Sequence, residues 1–293
     1  MQRGDKVMKC FNRFGISAFQ GIDLDDNIQK SAQTDLTLED LVGLDAVKQT
    51  INEIKAFCIV QNQRKAIGLK HQSLVLHMIF KGNPGTGKTT VARILGKIFK
   101  DIGVLEKGHV VEVDRADLVG EYIGHTALKV KENIRKALGG ILFVDEAYSL
   151  ARGGDRDFGK EAIDTLVKAM EDHKNEFILI LAGYTHEMNW FIEMNPGLKS
   201  RFPIQIEFPD YNLDELMQIA LKMFSDRQYE LAELSKKKLF RVLSHKYPQD
   251  NGNARLVRNV VELAIRKHAM RIVNKSHFKK EDLILIQPED IIG

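Results

Sequence analysis

The sequence predicts an α/β protein with a parallel sheet of five strands covered by helices, followed by an all-helical C-terminal domain. In the first two thirds of the chain, apolar runs of strand length alternate with segments that have helical periodicity. These strands are apolar on both faces, which is typical of a parallel sheet buried between two layers of helices. After residue 209 only helical patterns follow.

The elements follow one another from residue 37. Thr37 with Asp40 three residues on is typical of a helix start, and apolar residues then continue at helical spacing at Val47, Ile51, Ile54 and Cys58. Strands are predicted at 74–80, 109–113, 141–144, 177–182 and 203–208, and helices at about 127–138 and 159–172. We therefore expect a loosely held extension at 1–36, an α/β core at 37–209 and a helical domain at 210–293.

Composition narrows the class of protein. The 293 residues include 43 Lys and Arg against 40 Asp and Glu, so the net charge of +3 does not by itself indicate a nucleic-acid or membrane partner. No apolar run reaches 18 residues, and the start of the chain lacks the apolar region of a secretory signal. Two cysteines at positions 10 and 58 favour a reducing compartment, so a cytoplasmic protein is expected.

One segment departs from this balance. Residues 236–280 contain thirteen Lys or Arg against two acids, Asp250 and Glu262. Charge of this kind usually solubilises exposed helical faces. An acidic surface on a neighbouring subunit and nucleic acid are the two alternatives.

A glycine-rich loop follows the first strand. Its sequence, GNPGTGKT, fits the G-x-x-x-x-G-K-[ST] phosphate loop between a strand and a helix. Glycines let main-chain N–H groups approach a phosphate chain, and the helix N-terminus adds positive partial charge. The lysine neutralises phosphates and the final hydroxyl can bind magnesium. The expected nucleotide-binding residues are Gly82, Asn83, Pro84, Gly85, Thr86, Gly87, Lys88, Thr89 and Thr90.

Two carboxylates end the third strand. Asp145 and Glu146 follow the apolar run ILFV, at the carboxyl edge where open α/β sheets bind ligands. We expect Asp145 to hold magnesium together with Thr89, and Glu146 to act as the base that polarises the attacking water. A helix-start or surface pair is the structural alternative.

These motifs together resemble the AAA+ ATPases. The GNPGTGKTT loop, the ILFVDEAY strand and a helical C-terminal lid occur in that order. Longer segments, among them RADLVGEYIGHTA and NPGLKSRFPIQIEFPDY, resemble the CbbX-type subfamily and, within it, its sporulation branch. The resemblance extends from about residue 38 to 273 and leaves out residues 1–36.

The resemblance implies a function. It implies an ATPase that requires Mg²⁺ and ATP, assembles as a homo-oligomeric ring, expected to be a hexamer, and remodels a protein substrate during spore maturation. A rubisco-activase-like remodeller, a nucleic-acid-stimulated motor and a nucleotide-gated scaffold are the alternatives. A small-molecule kinase would share the phosphate loop but would not explain the helical lid.

The resemblance also implies roles for two arginines. Arg201, in the motif SRF, matches the arginine finger that reaches the ATP of a neighbouring subunit. Arg255, in the motif GNAR, matches the sensor-2 arginine. A surface salt bridge and a solvated helix face are the respective alternatives.

Two further assignments rest on matching positions. The sensor-1 position at the tip of the fourth strand matches Thr185, with Tyr184 as the competing residue. Val42 and Gly43 match a segment that lines the adenine pocket, although packing at a helix start explains them nearly as well.

Two loops match the pore loops of the family. Tyr122, Ile123 and Gly124 match the aromatic-hydrophobic-glycine motif that grips a substrate peptide, because an aromatic ring makes apolar contact with little sequence demand. In the alternative, Tyr122 packs against its own subunit. Residues 151–159 resemble a second pore loop with Arg156 as the contact residue, and a flexible turn is the alternative.

Overall fold

The computed structural model describes residues 37–292 except 73, 123, 153–156, 248–251 and 276. The predicted extension at 1–36, Ile123 and Arg156 therefore lie outside the described residues. The chain forms two compact units. The first, called the core unit here, contains the described residues of 36–211 and 251–254, and the C-terminal unit contains those of 212–250 and 255–293.

A five-stranded parallel sheet organises the core unit. Its strands are β1 (Met78–Gly82), β2 (Val110–Val113), β3 (Ile141–Val144), β4 (Ile178–Gly183) and β5 (Ile204–Phe208). They lie in the order β2-β3-β4-β1-β5, and every neighbouring pair is parallel. This confirms the predicted sheet. Because the central strands β3, β4 and β1 are buried along their whole length, their sequences are continuously apolar apart from Lys81 and glycines.

Helices cover this sheet. In chain order they are α1 (Asp45–Ala66), α2 (Lys88–Asp101), α3 (Arg115–Leu118), α4 (His125–Ala137), α5 (Gly159–Asp172), α6 (Thr185–Glu193) and α7 (Pro196–Arg201), with a 3-10 helix at Ala147–Ala151. One buried cluster joins alternate strand residues such as Ile79, Leu142 and Leu179 to the apolar faces of α4, α5 and α6. Burial of these faces provides most of the driving force for folding.

The start of α1 differs from the expectation. Thr37 and Asp40 are hydrogen bonded, with the Thr37 N–H and hydroxyl both donating to Asp40 Oδ2 at 2.9 and 2.8 Å. The helix nevertheless begins only at Asp45, because Gly43 and Leu44 adopt left-handed conformations with φ of 60° and 57°. Beyond this break the predicted apolar face is confirmed, since Val47, Ile51, Ile54 and Cys58 are the buried residues of α1.

Strand β1 begins at Met78, four residues later than predicted, and the histidine directly before it bonds to the neighbouring strand through its side chain. The N–H of Leu179 in β4 donates to Nδ1 of His77 at 3.0 Å, so a side chain takes the place of a strand carbonyl there. Burial lowers the pKa of His77 to about 4, which keeps the ring neutral and able to accept this bond.

The C-terminal unit is helical, as predicted. It contains α8 (Leu213–Ser225), α9 (Glu233–Lys246), most of α10 (Ala254–Val273) and α11 (Lys280–Ile284). The structure adds a small parallel sheet of β6 (Glu230–Leu231) and β7 (Leu285–Ile286), whose two-residue strands are too short for a periodic pattern. Among the helices of the described residues, none has the length and apolar character that crossing a membrane requires.

Candidate active site

The glycine-rich loop connects the end of β1 to the start of α2. Gly82 is the last residue of β1 and has a φ of 150°. A Cβ at this position would lie 2.4 Å from the carbonyl oxygen of Phe208 in β5, so only glycine fits beside that strand. Gly85 and Gly87 also have positive φ values, of 74° and 95°, and α2 begins directly after Gly87.

Hydrogen bonds within the loop fix its path. The Lys88 amine donates to the carbonyls of Gly82 and Asn83 at 2.7 and 2.8 Å. The hydroxyl of Thr86, which is fully buried, donates to the Asn83 carbonyl at 2.8 Å. The lysine side chain therefore folds back over the loop that joins the strand to the helix.

The donors at this loop suit a chain of phosphates. The first helical hydrogen bond of α2 runs from the Val91 N–H to the Gly87 carbonyl, so the N–H groups of Lys88, Thr89 and Thr90 precede the helical ladder. Such N–H groups at a helix N-terminus attract anions, and the Lys88 amine and Thr89 hydroxyl lie in the same turn. These donors fit ATP at Gly82–Thr90, and the contacts themselves remain a prediction.

Asp145 and Glu146 follow β3 at the same carboxyl edge of the sheet. The Asp145 N–H donates to the Val113 carbonyl at 2.9 Å, and the Glu146 N–H donates to Asp145 Oδ1 at 3.0 Å. Glu146 is exposed and has a φ of 48°, a left-handed conformation that is unfavourable for glutamate. Strained backbone of this kind is concentrated at functional sites, which supports a chemical role for Glu146.

The candidate magnesium ligands are few. Thr89 lies in the first turn of α2 and Asp145 follows β3. Within the described residues there is no cluster of three or more His, Cys, Asp or Glu that could hold a metal. Magnesium in nucleotide sites uses one or two protein ligands, while waters and phosphates supply the others. Thr89 and Asp145 fit that pattern, and their role remains a prediction.

The strand order places the sensor-1 candidates between these two groups. β4 lies between β3 and β1, so residues that follow β4 lie between Asp145 and the glycine-rich loop. Thr185 is exposed at the first position of α6, whereas Tyr184 is half-buried with its ring centroid 5.8 Å from that of Tyr148. Gly183 permits this packing, since a Cβ there would lie 2.7 Å from the Tyr148 ring.

Residues 42–44 lie beside the glycine-rich loop. Val42 and Gly43 are half-buried, and a Cβ built on Gly87 would lie 3.6 Å from the buried side chain of Leu44. Val42 and Gly43 were predicted from the sequence, whereas Leu44 was not. Leu44 is placed by its left-handed φ, which no apolar pattern reveals.

The loop that carries Tyr122 is anchored at its base and exposed at its tip. The Gly120 N–H donates to the buried hydroxyl of Thr126 at 3.0 Å, and the Lys129 amine donates to the carbonyls of Ala116 and Val119. Tyr122 is 65% exposed, and its ring meets the His125 ring edge-on at 5.4 Å. Gly124 has a φ of 82° in open space.

Arg201 lies at the opposite edge of the sheet from the glycine-rich loop. In the β1–β5 register Ile204 pairs with Met78 and Phe208 pairs with Gly82, so Arg201 precedes the amino end of β5 while the loop follows the carboxyl end of β1. Ile204 and Phe208 are four residues apart, so the two ends of the paired strands are separated by about 13 Å. Arg201 pairs with Glu171 and donates to the Gly197 carbonyl. It therefore lies away from the glycine-rich loop of its own chain.

Arg255 belongs to the C-terminal unit. It is the second residue of α10 and is exposed. Its proposed role in sensing the nucleotide remains a prediction. The same motif, GNAR, contains Asn253, which was not among the predicted site residues. Asn253 contacts the glycine-rich loop within the core unit.

Family models match both parts of the chain. Residues 78–210 match the model described as "ATPase family associated with various cellular activities (AAA)", and residues 212–292 match the AAA lid domain.

Two curated proteins are similar to this chain over most of their length. The chain is 56% identical to stage V sporulation protein K of Bacillus subtilis, over 86% of this chain and 79% of that protein. It is 42% identical to the chloroplastic ribulose bisphosphate carboxylase/oxygenase activase of Cyanidioschyzon merolae, over 90% of this chain and 92% of that protein.

Solved structures agree on the fold. The RuvB Holliday junction branch migration motor of Thermotoga maritima superposes with a TM-score of 0.54 at 18% identity, covering 84% of this chain and 69% of that one. This likeness concerns the fold alone. The two matched domain models and the relatives that share most of their length show that the chain belongs to the AAA ATPase family, as a CbbX-type ATPase with a C-terminal lid domain.

Proposed function

We propose that this ATPase assembles as a hexameric ring, requires Mg²⁺, and remodels a protein substrate drawn against Tyr122 in the central pore. Its proposed setting is the cytoplasm of a spore-forming cell during spore maturation. The exposed tyrosine on an anchored loop carries the proposal that the substrate is a polypeptide.

Each candidate residue has a defined part in hydrolysis. The N–H groups at the start of α2 and the Lys88 amine would bind the phosphates, which supply the scissile bond when ATP is bound. Thr89 and Asp145 would hold the magnesium ion. Glu146 would accept the proton of the attacking water, and its left-handed backbone holds the carboxylate directly after Asp145.

The position of Arg201 supports a ring. An arginine about 13 Å along the sheet from the phosphate loop of its own chain cannot complete that site. A head-to-tail arrangement of identical subunits would present Arg201 to the site of the neighbour, and heterologous contacts of this kind form a ring when the rotation between subunits closes. The pairing with Glu171 would then hold the arginine until a neighbour binds.

The exposure of Tyr122 supports a protein substrate. A tyrosine that packed within its own subunit would be buried, whereas this one is 65% exposed. Thr126 and Lys129 of α4 hold the base of the loop, so force on the aromatic ring of Tyr122 would be transmitted to α4. Gly124 supplies the freedom for the tip to swing.

The relatives suggest the process. The sporulation protein is 56% identical and the rubisco activase is 42% identical over nearly the same span. We therefore favour spore maturation, and rubisco activation is the second candidate because that activase is covered over 92% of its length.

A nucleic-acid motor is less well supported. Three cations of the basic segment 236–280 are paired within the C-terminal unit. Lys236 pairs with Glu233, Arg271 with the buried Asp290, and Lys275 with Asp282. Pairing lowers the charge available to a phosphate backbone.

A complementation experiment tests the proposal. In a Bacillus subtilis strain that lacks stage V sporulation protein K, the wild-type chain should restore heat-resistant spores. Tyr122→Ala should fail while ATP turnover stays within about threefold, because the grip on the substrate is lost but the nucleotide site is intact. Tyr122→Phe should keep the aromatic ring and restore spores.

Leu128→Ala is the matched control. Leu128 is 66% exposed, like Tyr122, but lies on α4 outside the loop, so its removal should leave spore formation unchanged. Full restoration by Tyr122→Ala would contradict the pore-loop role. If the wild-type chain fails to restore heat-resistant spores but reactivates inhibited rubisco, the second candidate is favoured.

A further inference from the structure

We infer that Asn253 and Asp210 are positioning residues that set the shape of the phosphate-binding loop before ATP arrives. This inference rests on the proposed role of residues 82–89. Both residues lie in the core unit, one after the fifth strand and one just before Arg255 in the chain.

Asp210 joins the loop to Asn253. The Asn83 amide donates to both carboxylate oxygens of Asp210, at 3.0 and 2.9 Å. The Asn253 amide donates to Asp210 Oδ1 at 2.8 Å. Bonds to a carboxylate are stronger than those between neutral groups, so Asp210 holds two amides that lie far apart in the sequence.

Asn253 makes further contacts with the same loop. Its amide nitrogen also lies 3.3 Å from the Pro84 carbonyl, and its Oδ1 accepts from the Tyr211 N–H at 2.9 Å. The next residue, Ala254, donates its N–H to the Gly85 carbonyl at 3.1 Å. Asn253 is 4% exposed, so water does not compete strongly for these bonds.

Tyr211 completes the set. Its hydroxyl donates to the Thr86 carbonyl at 3.3 Å and would lie 3.3 Å from a Cβ on Gly87. The segments 210–211 and 253–254 thus contact four consecutive residues of the loop, namely Asn83, Pro84, Gly85 and Thr86. These contacts use carbonyl oxygens and one side chain of the loop, so they do not occupy its N–H groups.

The chemistry at position 253 requires asparagine. Its φ of 49° is left-handed, a conformation that asparagine tolerates better than most residues. Its amide also donates to Asp210 while its oxygen accepts from Tyr211, and no carboxylate can do both. An aspartate there would oppose Asp210 at about the same distance, and two adjacent carboxylates repel each other.

This repulsion provides the test. Asn253→Asp should weaken Mg-ATP binding by about tenfold or more, measured by isothermal titration calorimetry. Asp210→Asn alone keeps an oxygen that accepts from Asn83 and should weaken binding only about threefold. The double variant Asp210→Asn with Asn253→Asp has the net charge of the wild type. Its new amide at 210 can donate to the new carboxylate at 253, so it should recover most of the Mg-ATP affinity that Asn253→Asp loses.

Asn175→Asp is the matched control. Asn175 is another left-handed asparagine, with a φ of 71°, and it lies before β4 on an exposed turn. The same substitution there should leave ATP affinity unchanged. If Asn253→Asp does not fold, Asn83→Ala, which removes the loop-side partner of Asp210 at a half-buried position, should weaken binding by a similar factor.

The outcomes are distinguishable. Wild-type affinity in Asn253→Asp, or in Asn83→Ala if the former does not fold, would overturn the inference. So would a double variant that binds no better than Asn253→Asp. Lys88→Ala checks the underlying site. Wild-type ATP affinity in Lys88→Ala would refute the proposed phosphate loop itself. Lost ATP affinity in Lys88→Ala together with wild-type affinity in Asn253→Asp would refute only the positioning role.

Discussion

Arg115 and Asp157 form an ion pair that joins the bases of the two candidate substrate loops. Arg115 Nη2 donates to both carboxylate oxygens of Asp157, at 2.6 and 2.5 Å, and Nη1 donates to the Ser149 carbonyl. Arg115 starts the segment that leads to Tyr122, and Asp157 follows residues 153–156. Ser149 lies in the 3-10 helix directly after Glu146, the candidate general base. One guanidinium therefore connects this helix to both loops.

Replacement of Asp157 should weaken this connection. Asp157→Asn keeps the shape but loses the charge, and charge-assisted hydrogen bonds are about twice as strong as neutral ones, so the free energy of unfolding should fall by about 1 kcal/mol. The midpoint of thermal unfolding should fall by about 2 to 4 °C. Asp164→Asn, which neutralises an exposed carboxylate on α5, is the control and should change it little.

The same pair predicts a pH dependence. The hydrogen bond from Arg115 lowers the pKa of Asp157 below its ordinary value of about 3.9. A lowered pKa in the folded state stabilises the protein above the ordinary value, and this stability is lost as the pH falls through the lowered value. The stability difference between the wild type and Asp157→Asn should therefore be constant above about pH 5 and shrink below about pH 4. A difference that persisted unchanged at low pH would show that the charge of Asp157 is not responsible.

Thr185 and Tyr184 can be separated by kinetics. If Thr185 orients the reacting groups, Thr185→Ala should lower kcat by at least about tenfold with ATP affinity within about threefold. Tyr184→Phe should leave both constants near the wild type, because the ring would keep its packing against Tyr148. Steady-state turnover with a parallel binding measurement decides between them, and the reverse result would assign the role to the tyrosine.

Gly82 and Gly68 form a matched pair of glycines for stability measurements. Gly68 has a φ of 76° in open space, so Gly68→Ala should cost only the left-handed strain of about 1 kcal/mol. Gly82→Ala adds a Cβ 2.4 Å from the Phe208 carbonyl and should separate β1 from β5, lowering the unfolding midpoint further and weakening ATP binding. Equal midpoints for the two variants would show that the close approach to β5 is unimportant.

The parts of the fold that follow local patterns were predictable. The buried face of α1 at Val47, Ile51, Ile54 and Cys58 follows the helical repeat, and α5 has the predicted limits of 159 and 172. The helix start at Thr37 was wrong because the left-handed residues Gly43 and Leu44 interrupt a sequence that otherwise continues the pattern.

The contacts that shape the candidate site were not predictable in this way. Arg115 and Asp157 are 42 positions apart, Asp210 and Asn253 are 43 apart, and Asn83 and Asp210 are 127 apart. Such pairs leave no periodic trace in a single sequence, since only the folded sheet brings them together. The motifs indicated the groups that could carry chemistry, and the residues that hold those groups in place became visible only in the structure.

The central claim is that each site in the ring is completed by Arg201 of a neighbouring subunit. Arg201→Ala should lower ATP turnover by about 10³-fold or more, and Glu146→Gln should abolish turnover while ATP stays bound. Lys199→Ala, which removes an exposed cation from the same helix, should retain turnover.

The most direct measurement is the ATP turnover of rings in which the Arg201→Ala and Glu146→Gln chains are co-expressed in equal amounts. An interface that joins the intact Glu146 of one chain to the intact Arg201 of the other should be active, so turnover should recover to as much as about one quarter of the wild-type rate. No recovery above the two separate variants, or near wild-type turnover by Arg201→Ala alone, would contradict the account.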